Sequence, residues 1–204
     1  VEENPLLNSA GLEEIISISS ITGVSVKSIC ADYFMEAPLH NENEAKVEKS
    51  INILNRLISN ASILGVEDIV IPCVDQSSLK LNGSSERFIE NISGQINNLE
   101  EKKINLALET DLSAKDFVNL LDTINSKNVT VNYDIGNSAS LGYNPEEELD
   151  AYGDRITDIH IKDRMYGGGP VLLGTGNANF KVFFEKLKEF NYKGIFIMQA
   201  YRDD

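Results

Sequence analysis

Four polar residues close four separate strand-like runs of this chain. Glu109 ends INLALE, Asp134 ends VTVNYD, His160 stands in RITDIHI, and Gln199 ends GIFIMQ. Each run is mostly apolar or alternates, the pattern of a buried or half-buried strand. Four such side chains can meet only if the strands run parallel and curl about a common axis. That is the geometry of a (β/α) barrel, whose functional groups gather at the C-terminal mouth. Glu, Asp and His together also form a donor set for a divalent ion such as Mn, Mg, Co or Zn.

Strand-like and helix-like segments alternate throughout. A first helix is expected at about residues 11–21, with Ser9 as its N-cap. Strand VSVKSI at 24–29 follows. A long helix is expected over 42–63, with Val47, Ile51, Leu54, Leu57, Ile58 and Ala61 at helical spacing and Gly65 as its stop. Next come a strand at 68–72, a helix at 84–102, and the strand that ends at Glu109. A helix at 113–125 starting at Ser113 leads to VTVNYD, and a short helix at about 145–151, with Pro145 in its first turn, leads to ITDIHI. After a Gly-rich loop come a helix at 178–190 and GIFIMQ. Strict alternation of this kind means an α/β fold with a parallel sheet.

The expected fold is therefore a (β/α)8 TIM barrel, one domain over residues 1–204, truncated so that the first strands and the last helix are missing. The chain opens on Val1 and closes soon after GIFIMQ, so both ends are expected to be cut inside the fold. Roughly 50–60 residues are then wanting at the front of a barrel of ~250 residues.

Charge narrows the partners. A formal net charge of −14 argues against nucleic acid and against an anionic membrane surface, because both are held by dense Lys and Arg. No apolar run reaches ~18 residues, so no membrane span is expected, and no secretory signal peptide is seen. Cys30 and Cys73 form no CxxC and no disulfide framework; both are read as buried free thiols of a cytoplasmic protein.

Each candidate has a plainer reading beside it. Glu109 can be an acid at a helix N-terminus, but Thr110, Asp111 and Ser113 stand closer to that helix start. Asp134 can make an Asx turn before Gly136, yet Asn137 three residues on gives it a polar neighbour suited to metal and substrate. His160 faces the same way as Asp158 and Lys162 and opposite to Ile159 and Ile161. His40, in PLHNENE, is expected to be solvated, with a lesser reading in which its loop reaches over the mouth. Gln199 can ligate through its carbonyl oxygen but cannot act as a base, and its plain reading is a hydrogen-bonding strand residue. After His160 come Lys162, Arg164 and the run MYGGGPVLLGTGNANF. The Gly167–Gly169 loop can present backbone N–H groups to a phosphate beside Lys162, Arg164 and Arg202, or it can be a flexible lid.

The stretches SICADYFM, ALETD, NYDIGNSASLGY, DRITDIHIKDR and GGGPVLLGTGN resemble the sugar-phosphate isomerase/epimerase group of the xylose isomerase-like barrel superfamily. The resemblance implies a metal tetrad of Glu, Asp, His and Glu, which falls on Glu109, Asp134, His160 and Gln199. The last position departs from the pattern. In the 3-epimerases of this group the first and last Glu are also two opposed acid/base groups, so Gln199 removes one of them. The superfamily's endonuclease IV needs a His-rich trinuclear site, which two histidines cannot supply.

What the resemblance implies is a divalent-metal-dependent isomerase or epimerase. It would act on a ketose, keto-acid or sugar phosphate through an enediolate. Glu109 would be ligand and base, and Lys162 a substitute for the second carboxylate. Asn137, Arg164, Gly167, Gly168, Gly169 and Arg202 would hold the substrate. Two further classes stay open: a metal-dependent dehydratase of a keto-polyol, and a sugar-binding barrel without turnover. A homo-oligomer is compatible with either.

Overall fold

The structure is a computed structural model that describes residues 3–199. Its strands in chain order are β1 (Ser28–Cys30), β2 (Asp68–Cys73), β3 (Asn105–Thr110), β4 (Val129–Asp134), β5 (Ile156–Ile161), β6 (Asp163–Arg164), β7 (Pro170–Val171) and β8 (Ile195–Met198). The helices are α1 (Ser9–Thr22), α2 (Tyr33–Glu36), α3 (Glu44–Leu64), α4 (Ser84–Ser93), α5 (Ile96–Lys102), α6 (Ala114–Ile124), α7 (Ile135–Leu141), α8 (Pro145–Tyr152) and α9 (Phe180–Glu189). Six strands form one parallel sheet in the order β1-β2-β3-β4-β5-β8. With helices between successive strands, this is a partial (β/α)8 barrel, as the alternation predicts. The short strands β6 and β7 form a separate antiparallel ribbon.

Local chemistry explains the elements. β2 and β4 are buried at every position, as expected of parallel strands covered on both faces. Helix α3 starts where the Asn43 side chain accepts from the Lys46 N–H, and ends at Gly65, which takes φ 71°. That left-handed conformation costs a glycine little. The buried face of α3 joins Phe34, Ile69, Ile71, Phe88, Leu106, Phe117 and Phe183 in one contiguous apolar cluster. Among the described residues no helix is long and apolar enough to cross a membrane.

Several boundaries differ from the expectation. The first strand begins at Ser28 instead of residue 24. Among the described residues it pairs with β2, which begins at Asp68 opposite Ser28, and the bonding ahead of it reaches back as far as Lys27 O, which accepts from Glu67 N at 2.9 Å. Helix α1 is capped by Asn8, whose Oδ1 accepts from Gly11 N at 2.8 Å, and not by Ser9. The helix expected over 84–102 is two helices, because α4 stops at Gly94, a poor helix residue. Helix α7 was not anticipated. It is a seven-residue segment that Asp134 caps at one end and Gly142, at φ 76°, closes at the other.

Candidate metal centre

The parallel register brings the ends of β3, β4 and β5 together. Asp134 pairs with His160 across β4 and β5, and Glu109 lies near the end of β3. All three side chains are buried. One ligand atom from each lies within 4.8 Å of the others. His160 Nδ1 stands 3.4 Å from Glu109 Oε2 and 4.0 Å from Asp134 Oδ2. Gln199 continues the β5–β8 pairing, its N–H donating to Ile161 O at 3.0 Å. Its side chain turns inward and places Nε2 2.9 Å from His160 Nδ1. The four residues singled out by their strand-end positions do converge.

The electrostatics of this cluster are those of crowded, buried acids. Asp134 Oδ1 accepts from the Asn137 N–H at 2.8 Å, so it caps α7 as an Asx residue would. Its Oδ2 is buried and has no hydrogen-bond partner among the described residues; Lys162 Nζ stands 3.6 Å away. Burial, and then the charge of Glu109, push the Asp134 carboxyl up to about 6 against the opposing pull of Lys162. Burial lowers the affinity of His160 for a proton, but its hydrogen bond and charge interaction with Glu109, aided by Asp134 and Asp158, win, and the net shift is upward. A buried carboxylate oxygen without a partner is costly. Metal–ligand bonds of ~2.0–2.2 Å place two ligand atoms up to ~4.4 Å apart, and the His160–Glu109 and His160–Asp134 separations of 3.4 and 4.0 Å lie within that reach, so the cluster could hold a metal ion. In the tautomer that carries its proton on Nε2, His160 presents the Nδ1 lone pair to the same point.

The family model described as xylose isomerase-like TIM barrel matches residues 2–204. The chain belongs to the xylose isomerase-like TIM barrel family. It is 27% identical, over 89% of its length and 68% of the relative's, to the putative L-ribulose-5-phosphate 3-epimerase SgbU of Escherichia coli (strain K12). Its fold is similar to the apo form of 3-keto-D-glucoside 4-epimerase YcjR from E. coli, with TM-score 0.80 at 17% identity, covering 98% of this chain and 80% of that one. A xylose isomerase-like TIM barrel protein from Mycobacterium smegmatis, solved in complex with magnesium, gives TM-score 0.79 at 19% identity, with 98% and 74% covered.

Around the cluster of this family member, carboxamides hold one of the two carboxylates, Glu109. Asn132 was not singled out in the sequence. It sits two residues before Asp134 on β4 and so on the same face. Its Nδ2 donates to Glu109 Oε2 at 2.9 Å and lies 3.2 Å from His160 Nδ1. The alternation in VNYD was the available signal. Asn137 Nδ2 donates to the other Glu109 oxygen, Oε1. Both oxygens of Glu109 are thus held by side-chain amides.

Arg164 reaches the same group indirectly. Its Nη1 donates to Asn137 Oδ1 at 2.7 Å, and its Nε and Nη2 donate to Gly168 O at 3.1 and 2.9 Å. The Gly167 N–H donates to Ser140 O and the Gly168 N–H to Met165 O, both at 2.8 Å. Those two N–H groups, expected to cradle an anion, are engaged with the protein in this conformation. Gly169 accepts from Met165 N through its carbonyl. Arg202 lies outside the described residues.

Two expectations are corrected. His40 is buried, not solvated. Its ring meets Phe88 edge-on with centroids 6.3 Å apart, and its carbonyl accepts from Arg87 Nε at 2.9 Å. Burial and then the Arg87 charge press its pKa down to about 4. It belongs to the packing under α4 and not to the mouth. Cys73 is buried as expected, but Cys30 is exposed; among the described residues β1 has a sheet neighbour on one side.

Proposed function

We propose that this chain is a divalent-metal-dependent isomerase or epimerase acting on a ketose, a keto-acid or a sugar phosphate. The observation that carries the reading is the convergence of Glu109, Asp134 and His160 within 4.8 Å at the end of three adjacent parallel strands. A relative named as a putative L-ribulose-5-phosphate 3-epimerase supports the reaction class. Two unpaired thiols and a sugar phosphate substrate suit a cytoplasmic enzyme.

Glu109, Asp134 and His160 would hold the ion, joined by the Gln199 amide oxygen when the carboxamide turns from the orientation that sets Nε2 beside His160. Bound there, it would act as a Lewis acid toward a substrate carbonyl and the neighbouring hydroxyl. Glu109 takes the proton from the carbon beside that carbonyl and leaves an enediolate. Asn132 and Asn137 hold its two oxygens, so its direction is set before the substrate arrives. Asn137, Arg164 and Arg202 would hold the far end of the substrate, and the Gly167–Gly169 loop would join them only on releasing its Gly167 and Gly168 N–H groups from Ser140 O and Met165 O. Three of the five Arg164 guanidinium N–H groups are engaged in the described structure, which leaves two for substrate oxygens.

Return of the proton to the same face needs only Glu109. Return to the opposite face needs a second group, and a carboxamide at Gln199 cannot serve. Lys162 takes that part in this reading, since its ammonium group stands 3.6 Å from Asp134 Oδ2 on a side chain 24% exposed. A single base paired with one acid also suits dehydration of a keto-polyol, which is the reading that Gln199 favours if epimerisation fails.

The test is a panel of ketoses and ketose phosphates incubated with the Mn²⁺-loaded chain in D₂O. Deuterium at a carbon beside the carbonyl, with or without inversion, is the expected result. Loss of water instead marks a dehydratase. Absence of exchange with every sugar, while Mn²⁺ binds, marks a binding protein and contradicts the proposal.

A further inference from the structure

One buried carboxylate fastens the loop that separates β5 from α9. Asp163 follows Lys162 directly and is 1% exposed. Its Oδ2 accepts from the N–H groups of Gly174 and Gly176, each at 2.9 Å, and its Oδ1 accepts from Ala178 N at 3.0 Å. Three backbone donors on one carboxylate are charge-assisted bonds, roughly twice as strong as neutral ones. The fit leaves no room. A Cβ on Gly176 would run into Asp163 Oδ1 and stand 2.7 Å from Arg164 O. The same segment grips the next residue, since Asn177 N donates to Arg164 O at 2.9 Å.

Arg164 therefore sits between two anchors. On one side is the segment held by Asp163; on the other is Asn137, which donates to Glu109. We propose that Asp163 is a positioning residue: it clamps the Gly174–Ala178 segment and thereby holds Arg164, and through Asn137 the Glu109 carboxylate, in the arrangement the reaction uses. The inference rests on the proposed role of Glu109. Its physical content is pre-organisation. A loop already fixed does not have to be ordered by the substrate, so the clamp shows itself in KM. A carboxylate that merely folded an exposed loop would change the melting temperature and leave the kinetics alone.

Two substitutions attack the clamp from opposite sides. Asp163→Asn replaces one acceptor oxygen by a donor that faces a backbone N–H. Gly176→Ala leaves the carboxylate and pushes the segment off it. The full chain and both variants are compared by amide hydrogen exchange over residues 164–178, by Mn²⁺ titration, and by kinetics on a ketose that exchanges in D₂O. In both variants the amides of Gly174 and Ala178 should exchange about tenfold faster and kcat/KM should fall about tenfold, mainly through KM, the worth of a hydrogen bond to a charged acceptor. Mn²⁺ affinity should fall by less than kcat/KM does, because Asn132 still holds Glu109 Oε2. Unaltered exchange in both variants, or faster exchange with wild-type kinetics, would overturn the proposal. If no sugar is turned over, the proposed function fails separately. The Arg164 Nε–H resonance then decides on the clamp: it should move in both variants, and an unmoved resonance overturns the proposal.

Discussion

Gln199 Nε2 lies 2.9 Å from His160 Nδ1, so a neutral carboxamide stands beside the cluster of two carboxylates and an imidazole. A carboxylate in that place would be a stronger ligand for a hard cation. Gln199→Glu should therefore tighten Mn²⁺ binding by about tenfold, the equivalent of ~1.4 kcal/mol. The same change supplies a second base opposite Glu109, so new deuterium incorporation at carbon 3 of a ketose is also expected. Calorimetry and exchange in D₂O read the two effects. Unchanged affinity would place Gln199 away from the ion.

Asn132 holds Glu109 Oε2 at 2.9 Å. Asn132→Ala should lower kcat/KM by about ten- to a hundredfold, since one hydrogen bond to a charged group is worth ~1.5–3 kcal/mol. The fold should be retained, because the change is a truncation on one strand face. Kinetics at the wild-type level would show that Glu109 is positioned without it.

Behind β4, Glu148 accepts from Tyr133 Oη at 2.8 Å and from Tyr152 Oη at 3.0 Å, and also from Ser138, the neighbour of Asn137 on α7. Glu148→Ala should cost about 1–3 kcal/mol in urea unfolding by leaving buried hydroxyls unpaired. Burial raises the Glu148 pKa, although the three hydroxyls pull it back in part. A raised folded-state value means that its contribution is fully present below the ordinary carboxylate range and is lost as pH rises through the folded value. Glu148→Gln should flatten that loss. A Gln variant with the same pH profile as the wild type would contradict the assignment.

His40 gives the opposite slope. Its pKa is pressed from 6.5 to about 4, first by burial and then by Arg87. The folded chain thus binds this proton less readily than the unfolded chain does, and stability falls as pH drops from 6.5 towards 4. His40→Leu should lessen the acid sensitivity over that interval. Melting temperatures at a series of pH values read it, and an unchanged slope would count against a buried neutral His40.

The strand-end residues were legible because period-2 alternation and α/β alternation are local patterns. They carried the barrel, the six sheet strands, and the meeting of Glu109, Asp134, His160 and Gln199. What escaped was set by tertiary neighbours. Asn132 looks like any polar strand residue until β3 and β5 bring Glu109 and His160 to it. Arg164 looked like a free anion-binding group, while three of its N–H groups meet Gly168 and Asn137. His40 reads as a solvated loop residue because nothing near it in sequence announces the Phe88 ring. The short helix α7 was hidden because Asp134 serves as its cap and as a member of the cluster at once.

Titration of the metal-free chain with Mn²⁺ in a calorimeter tests the central claim most directly. One ion per chain should bind, and Asp134→Ala and His160→Ala should each abolish binding without unfolding the protein, because Glu109, Asp134 and His160 are the proposed donor set. Absence of saturable binding to the folded wild-type chain, or binding that survives both substitutions, would contradict the account.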